Sequence, residues 1–132
     1  MAGYPFTSAL VTGASSGIGA EMARLLGEAR IPTVLVARRV ERLHELADEF
    51  DAFEVLEADL ATAVGRAAVV DRITDVERPV ELVVNNAGSG TSGQFHELAI
   101  DRLEREIELN VTALTALSHA ALSVMVPRRR GY

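Results

Sequence analysis

A glycine-rich turn at residues 12–19, with the sequence TGASSGIG, limits the folds open to this chain more than any other segment. Residues 8–11 before it predict a β-strand, and apolar residues at helical spacing predict a helix over residues 17–29. Glycine permits a tight turn, lets the backbone approach an anion closely and lets the helix start press against the sheet. A helix start also offers free N–H groups and partial positive charge. The turn therefore predicts a pyrophosphate site formed by Gly13, Ser15, Ser16, Gly17, Ile18 and Gly19.

The spacing within this turn excludes one large class of nucleotide-binding protein. The glycines follow a Gly-x3-Gly-x-Gly pattern, and no Gly-Lys-Ser or Gly-Lys-Thr ending is present. A P-loop for ATP or GTP needs that ending, because its lysine and hydroxyl hold the phosphates and Mg²⁺. A dinucleotide site is favoured by the strand–turn–helix setting, and a glycine-rich turn that binds nothing is the alternative interpretation.

Apolar runs of strand length alternate with longer segments of helical periodicity along the whole chain. Residues 33–37, 53–56 and 80–84 predict three further strands. Near-continuous apolar strands separated by helices indicate parallel strands that are covered on both faces. We therefore predict a single α/β domain over residues 1–132, a doubly wound parallel sheet with strand order 3-2-1-4.

Two helix boundaries are predicted from capping residues. Thr62 is the expected N-cap of the helix before the fourth strand. A long helix is expected to begin at Asp101, with Glu104 in capping-box spacing, and to end before Pro127. The following Arg128–Arg130 run is interpreted as a solvated loop, since basic residues suit a helix C-terminus.

The second predicted strand ends in Ala37-Arg38-Arg39. In dinucleotide-binding folds an acidic residue about 20 positions after the glycines holds the ribose hydroxyls of NAD, whereas an arginine accommodates the 2′-phosphate of NADP. Arg38 lies 19 residues after Gly19, and no acidic residue stands at the strand end. Two guanidinium groups can bind a dianionic phosphate through charge-assisted hydrogen bonds. The pattern favours NADP over NAD, and a solvated arginine pair at a helix start is the alternative.

The composition narrows the classes of partner. A net charge of -6 has the wrong sign for a protein that coats nucleic-acid phosphates. The chain has no cysteine, and its three histidines are too scattered to indicate a metal site. No apolar run approaches the roughly 18 residues of a membrane span, and the N-terminus lacks a signal-peptide pattern. We expect a cytoplasmic protein without a metal, nucleic-acid or membrane partner.

Further motifs follow the glycine turn in a fixed order: Ala58-Asp59-Leu60 after the third strand, Asn85-Asn86-Ala87-Gly88 after the fourth, and Asn110-Val111 in the long helix. With these elements the chain, from about Ser8 to its end, resembles the N-terminal half of a short-chain dehydrogenase/reductase. The resemblance implies a Rossmann fold that binds a nicotinamide cofactor.

The resemblance also implies roles for individual residues. Asp59 and Leu60 would contact the adenine, and Asn85 would brace the turn after the first strand. The floor of the cofactor site would be lined by Asn86, Ala87 and Gly88.

Asn110 interrupts the apolar stripe of the long helix. A buried amide without a hydrogen bond costs about 1–3 kcal/mol, so this side chain needs a partner. From the sequence alone, an asparagine satisfied by neighbouring backbone and a functional residue both remain open. The resemblance implies that Asn110 belongs to the active site and helps to organise a proton-relay water.

The acid/base machinery of the family has no counterpart in this sequence. The resemblance implies hydride transfer to or from the nicotinamide, with a tyrosine as acid/base, a lysine four residues later and an upstream serine. Here the only tyrosines are Tyr4 and Tyr132, and all 13 basic residues are arginines. We predict the NADP-binding half of an oxidoreductase acting on a small alcohol or carbonyl compound, incomplete after the long helix. The alternative is a non-catalytic NADP-binding or assembly module.

Two predictions concern association. The resemblance implies that the long helix contributes to a dimer interface, so a homo-oligomer is expected. The strand order leaves the fourth strand, residues 80–84, as an exposed apolar edge, and such edges promote pairing between chains. We therefore predict that the isolated chain self-associates or is only marginally stable.

Overall fold

The computed structural model of the chain describes residues 3–132. Its centre is a parallel sheet in the order β3-β2-β1-β4. The strands are β1 (Ala9–Thr12), β2 (Thr33–Ala37), β3 (Phe53–Glu57) and β4 (Leu82–Val84). The doubly wound parallel α/β fold and its strand order are confirmed. The sequence placed the start of β4 two residues too early, at Val80.

Each face of the sheet carries its own apolar core, because successive residues of a strand point to opposite faces. On one face Val11 packs with α1 (Gly17–Glu28) and α2 (Val40–Ala47). On the other face Leu10 packs with α3 (Ala63–Ile73) and with the C-terminal part of the long helix. With both faces covered, β1 and β2 are buried along their whole length, as an inner parallel strand requires.

The long helix is continuous over 26 residues but changes its winding in the middle. Its parts are α4 (Ile100–Ile107), a π-helical segment (Glu108–Ala113) and α5 (Leu114–Met125). Such π-helical turns are rare in proteins, and those that occur often lie at functional sites. Asn110 lies inside this segment.

Of the two predicted helix starts, the structure confirms one and contradicts the other. The Thr62 cap is confirmed, since its hydroxyl accepts a hydrogen bond from the Gly65 N–H across 3.0 Å. The capping box of Asp101 and Glu104 is wrong, because the N-cap is Ala99, which has no side-chain acceptor. Asp101 lies instead in the first turn of α4, where its negative charge suits the positive helix end.

The helix from Ile100 to Met125 is long and apolar enough to cross a membrane by length and composition, with a mean hydropathy of 1.2 over its best 18-residue window. This finding corrects the expectation that no segment of the chain reaches that length. In the structure 22% of the window is buried against the rest of the chain. A helix that packs one side on a sheet also meets this criterion, so the property alone assigns no membrane to the protein.

The outer edge of β4 is partly occupied by the C-terminal residues. The Val83 N–H donates to the Tyr132 carbonyl across 3.1 Å, and the Tyr132 N–H donates to the Glu81 carbonyl across 2.7 Å. The buried Glu81 carboxylate lies 2.5 Å from Arg130, and Arg128 donates to the Val80 carbonyl. Arg129 and Arg130 are exposed after the end of the helix, as the interpretation of this run as a solvated loop expects, but Arg128 and Arg130 also bind the β4 region.

Candidate functional site

A cleft lies at the carboxyl ends of the strands, where open α/β sheets bind their ligands. The turn after β1, the end of β2 and the loops after β3 and β4 all meet there. Eight of the residues singled out from the sequence line this cleft: Gly13, Ser15, Arg38, Arg39, Asp59, Leu60, Ala87 and Gly88. The structure thus brings together residues that are distant along the chain.

The glycine turn has the close backbone contacts expected of an anion-binding turn. Gly13 and Gly17 have φ values of 66° and 57°, in the left-handed region that favours glycine. A Cβ atom on Gly19 would overlap the Gly13 carbonyl and the Asn86 amide. Ser16 is the N-cap of α1, but its side chain accepts no hydrogen bond from the first turn of that helix. The N–H groups in the first turn of this helix, which begins two residues after the cleft-lining Ser15, are therefore uncapped by its N-cap side chain.

The turn is held in place by the segment that follows β4. Asn86 Nδ2 donates to the carbonyls of Thr12 and Gly13 across 3.1 and 3.3 Å. The buried Thr12 hydroxyl accepts from the N–H groups of Asn86 and Ala87 across 3.1 and 3.0 Å. The bracing role expected of Asn85 belongs to Asn86, because Asn85 lies one residue further back and donates to Ser118 across 3.2 Å.

Two guanidinium groups stand beside this turn. Arg39 Nη2 donates to the hydroxyls of Ser15 and Ser16 across 3.1 and 3.0 Å. Arg38 lines the same cleft and adds positive potential at Asp59. An arginine carries five N–H donors, so Arg39 retains donors for an anion while it contacts the serines. The arrangement forms a cationic end of the cleft.

Asp59 lies in the loop after β3. Its Oδ1 accepts from the Ala61 N–H across 3.1 Å, and its Oδ2 accepts from Arg105 Nη2 across 2.6 Å. Partial burial raises the pKa of this carboxyl, but the hydrogen bonds from Arg105 and Ala61 and the charge of Arg38 outweigh burial and leave the pKa below its ordinary value. Asp59 is therefore an ionised hydrogen-bond acceptor at neutral pH.

Two residues around Asp59 were not singled out from the sequence. Arg105 comes from α4, and its sequence context gives no sign of a partner 46 residues away. Gly65 of α3 packs against the backbone of Asp59 so closely that a Cβ atom there would overlap the Asp59 carbonyl. A glycine inside an amphipathic helix was the available signal, because helix interiors disfavour glycine without a packing reason.

Asn110 makes a two-point contact with the loop after β4. Its Oδ1 accepts from the Ser89 N–H across 2.9 Å, and its Nδ2 donates to the Ser89 carbonyl across 2.7 Å. The same Oδ1 lies beside Gly88, where a Cβ atom would approach it to 3.2 Å. Asn110 is thus satisfied by backbone, and through that backbone it shapes the wall of the cleft.

In the part of the chain that the structure describes, neither the tyrosines nor a group of acidic side chains adds a catalytic or metal-binding site to the cleft. Tyr4 and Tyr132 each stack on Phe6, with ring centroids 5.2 and 5.8 Å apart, and neither lines the cleft. Among residues 3–132 no cluster of histidine and carboxylate side chains has metal-binding geometry.

Comparison with known proteins identifies the family. The short chain dehydrogenase profile matches residues 7–132. An uncharacterized oxidoreductase of Myxococcus xanthus is 35% identical over 136 residues, and the match covers 100% of this chain and 54% of that protein. Gluconate 5-dehydrogenase of Gluconobacter oxydans is 34% identical, with 93% of this chain and 50% of that enzyme covered. The chain spans about half the length of the curated relatives it matches.

Solved structures of similar fold are also matched over about half of their length. A short-chain dehydrogenase from Sphingobium yanoikuyae in complex with NADPH is 40% identical and superposes with a TM-score of 0.88, covering 96% of this chain and 51% of that one. A metagenomic short-chain oxidoreductase in complex with NADP is 34% identical, with a TM-score of 0.86 over 95% of this chain and 58% of that one. The fold, the profile and these relatives agree, and the chain belongs to the short-chain dehydrogenase/reductase family.

Proposed function

We propose that this chain is the NADP(H)-binding half of an oxidoreductase that transfers a hydride between NADP(H) and a small alcohol or carbonyl compound. The observation that carries the proposal is the cationic end of the cleft, where Arg38 and Arg39 stand beside the glycine turn. The NADPH and NADP complexes among the similar structures support the same cofactor.

The glycine turn suits the pyrophosphate of such a cofactor. The side-chain-free surface at Gly13 and Gly19 is held against Asn86, and the N–H groups in the first turn of α1 have no side-chain cap. These groups would bind the phosphate oxygens without a side chain in the way. Ile18, which is 74% exposed, would lie against the cofactor's apolar surface.

The 2′-phosphate would lie between the two guanidinium groups and the serine hydroxyls. Arg39 holds Ser15 and Ser16 in place, and their hydroxyls can turn to donate to a phosphate. NAD lacks this phosphate and would leave both guanidinium groups without their anion. The preference for NADP over NAD thus rests on Arg38 and Arg39.

Asp59 and Leu60 would form the adenine end of the cleft. Asp59 is an ionised acceptor, and adenine carries a donor in its 6-amino group. Leu60 is buried beneath the same wall and offers an apolar contact. Ala87 and Gly88, which line the cleft, would form the floor between the two ends together with Asn86, which braces the glycine turn.

When bound, NADPH would supply a hydride from C4 of its nicotinamide ring, and NADP⁺ would accept one there. Asn110 would position the Ser89 backbone beside that end of the cofactor and help to order a relay water. A neutral amide is not an acid or base at physiological pH, so Asn110 does not transfer the proton itself. The 132 residues contain no lysine, and neither tyrosine lines the cleft, so the proposal assigns proton transfer to no residue of this sequence.

We also propose that the long helix mediates homo-oligomer formation. Its outward face carries large apolar side chains that are 46% to 66% exposed. These residues are Ile107, Val111, Leu114, Leu122 and Val126. Sedimentation analysis would show a dimer or larger species that the Leu114→Glu substitution dissociates; a monomer before and after the substitution would contradict this assignment.

Calorimetric titration of the chain with NADP⁺ and, separately, with NAD⁺ at fixed salt tests the cofactor proposal. We expect saturable binding with a preference for NADP⁺ of about 10- to 100-fold, the range that one or two charge-assisted contacts supply. The Arg38→Ala, Arg39→Ala double variant should bind both cofactors equally. The Arg42→Ala variant controls for charge, since Arg42 does not line the cleft. Equal affinity of the parent chain for both cofactors would contradict the phosphate assignment.

A further inference from the structure

Arg105 connects α4 to the loop after β3, in which Asp59 lines the cleft. Its Nη2 donates to Asp59 Oδ2 across 2.6 Å and so joins α4 to the loop after β3. The pair is partly exposed, with 47% of the Arg105 side chain and 33% of the Asp59 side chain open to solvent. An ion pair with this exposure adds little to folding stability. Its main consequence is local, on the carboxylate that it holds.

Asp59 is held at both of its carboxylate oxygens. Ala61 N–H donates to Oδ1 across 3.1 Å while Arg105 donates to Oδ2. The carboxylate cannot rotate about its Cβ–Cγ bond without breaking one of these two hydrogen bonds. A carboxylate accepts about four hydrogen bonds, so both oxygens keep acceptor capacity for a ligand. A donor entering the cleft therefore meets a carboxylate whose plane is already set.

A second contact fixes the same loop to the long helix. Arg66 Nη1 donates to the Leu60 carbonyl across 3.1 Å and lies 2.9 Å from Glu108 Oε2 in the π-helical segment. The loop after β3 is thus tied to the long helix at Asp59 through Arg105 and at Leu60 through Arg66. Arg105 remains the contact that acts directly on the Asp59 carboxylate.

We propose that Arg105 is a positioning residue for purine recognition, which orients Asp59 to accept from the 6-amino group of adenine and to reject a purine with a carbonyl oxygen at that position. The inference rests on the proposed function, in which Asp59 faces the adenine of NADP. Hypoxanthine presents an oxygen at C6, and two acceptors that face each other make no hydrogen bond and lose their water. A carboxylate that is already oriented discriminates between the 6-amino group and the 6-carbonyl oxygen better than one that can rotate away.

The test compares the affinity of the chain for NADP⁺ with that for its hypoxanthine analogue, nicotinamide hypoxanthine dinucleotide phosphate, by calorimetry. The parent chain should prefer NADP⁺. In Arg105→Met we expect NADP⁺ to bind about three- to tenfold more weakly, the value of one partly exposed charge-assisted hydrogen bond. The analogue should lose less affinity, so that the preference for adenine shrinks.

Arg102→Met provides a matched control. Arg102 lies one turn earlier on α4 and donates to the Thr91 hydroxyl across 3.1 Å. Its substitution removes the same charge as Arg105→Met, but from a residue that does not contact Asp59. Its preference for NADP⁺ over the analogue should equal that of the parent chain. The ratio of two affinities in one sample does not depend on the folded fraction, so partial unfolding of a variant leaves the comparison valid.

The outcomes separate the two proposals. If the parent chain binds neither dinucleotide, the proposed function fails and the role of Arg105 fails with it. If the parent chain prefers NADP⁺ and Arg105→Met keeps the same preference, only the role of Arg105 is overturned. Equal weakening of both dinucleotides by Arg105→Met also overturns it, because that result indicates a general electrostatic effect.

Discussion

Gly19→Ala tests whether close backbone packing is what makes the glycine turn. In most helices this change stabilises the fold by about 1 kcal/mol, because alanine has the higher helix propensity. Here the new Cβ atom would overlap the Gly13 carbonyl and the Asn86 amide. Relief of such overpacking costs about 1–3 kcal/mol, and loss of the two hydrogen bonds from Asn86 adds about 1 kcal/mol each.

These contributions leave a net destabilisation of about 2–4 kcal/mol, which corresponds to a fall in Tm of roughly 10 °C for a chain of this size. Thermal and urea unfolding followed by circular dichroism would measure the change. Gly90→Ala is the control, since its Cβ atom would meet no atom within 4 Å and Gly90 has no positive φ. A Gly19→Ala chain with the Tm and the NADP⁺ affinity of the parent would refute the packing argument.

Three further substitutions test the packing of Gly65, the hydrogen bonds of Asn110 and the ionisation of Glu81. Gly65→Ala should destabilise the chain by about 1–3 kcal/mol and weaken NADP⁺ binding, because the new Cβ atom displaces the Asp59 backbone; unchanged unfolding in urea would contradict this. Asn110→Ala should speed hydrogen exchange at the Ser89 amide, which loses its acceptor, and equal exchange rates would count against that contact. Burial raises the pKa of Glu81, but Arg130 and the N–H and hydroxyl of Thr7 outweigh burial and hold the pKa below its ordinary value. Its stabilisation is therefore present above the unfolded-state pKa and is lost as the pH falls through the folded-state pKa, and Glu81→Gln should flatten the loss of stability below about pH 5.

The architecture was predictable because it depends on local patterns. The alternation of apolar strands and amphipathic helices determined the fold class and the strand order, and the Thr62 cap marked a helix start. The glycine turn predicted the edge of the sheet at which the cleft lies, since a strand–turn–helix unit places its turn at the strand's carboxyl end. These inferences needed no knowledge of contacts between distant residues.

The remaining details depend on long-range contacts that no local pattern encodes. Two adjacent asparagines follow β4, and only the structure shows that Asn86 braces the turn while Asn85 contacts Ser118. The partner of Arg105 depends on how α4 crosses the loop after β3. The Arg128–Arg130 run looked like an ordinary polar helix end, because the buried acid that binds Arg130, Glu81, lies far back in the sequence, just before β4.

We propose that the cleft at the carboxyl ends of the strands binds NADP(H). Titration of the ¹⁵N-labelled chain with NADP⁺, followed through the amide chemical shifts, would locate the bound cofactor residue by residue. We expect saturable shifts in four segments that line or support the cleft, at residues 13–19, 38–39, 59–60 and 86–88. Shifts confined to a second groove between β4 and α5, lined by Val83, Ala121 and Met125, or no saturable shift at all, would contradict this proposal.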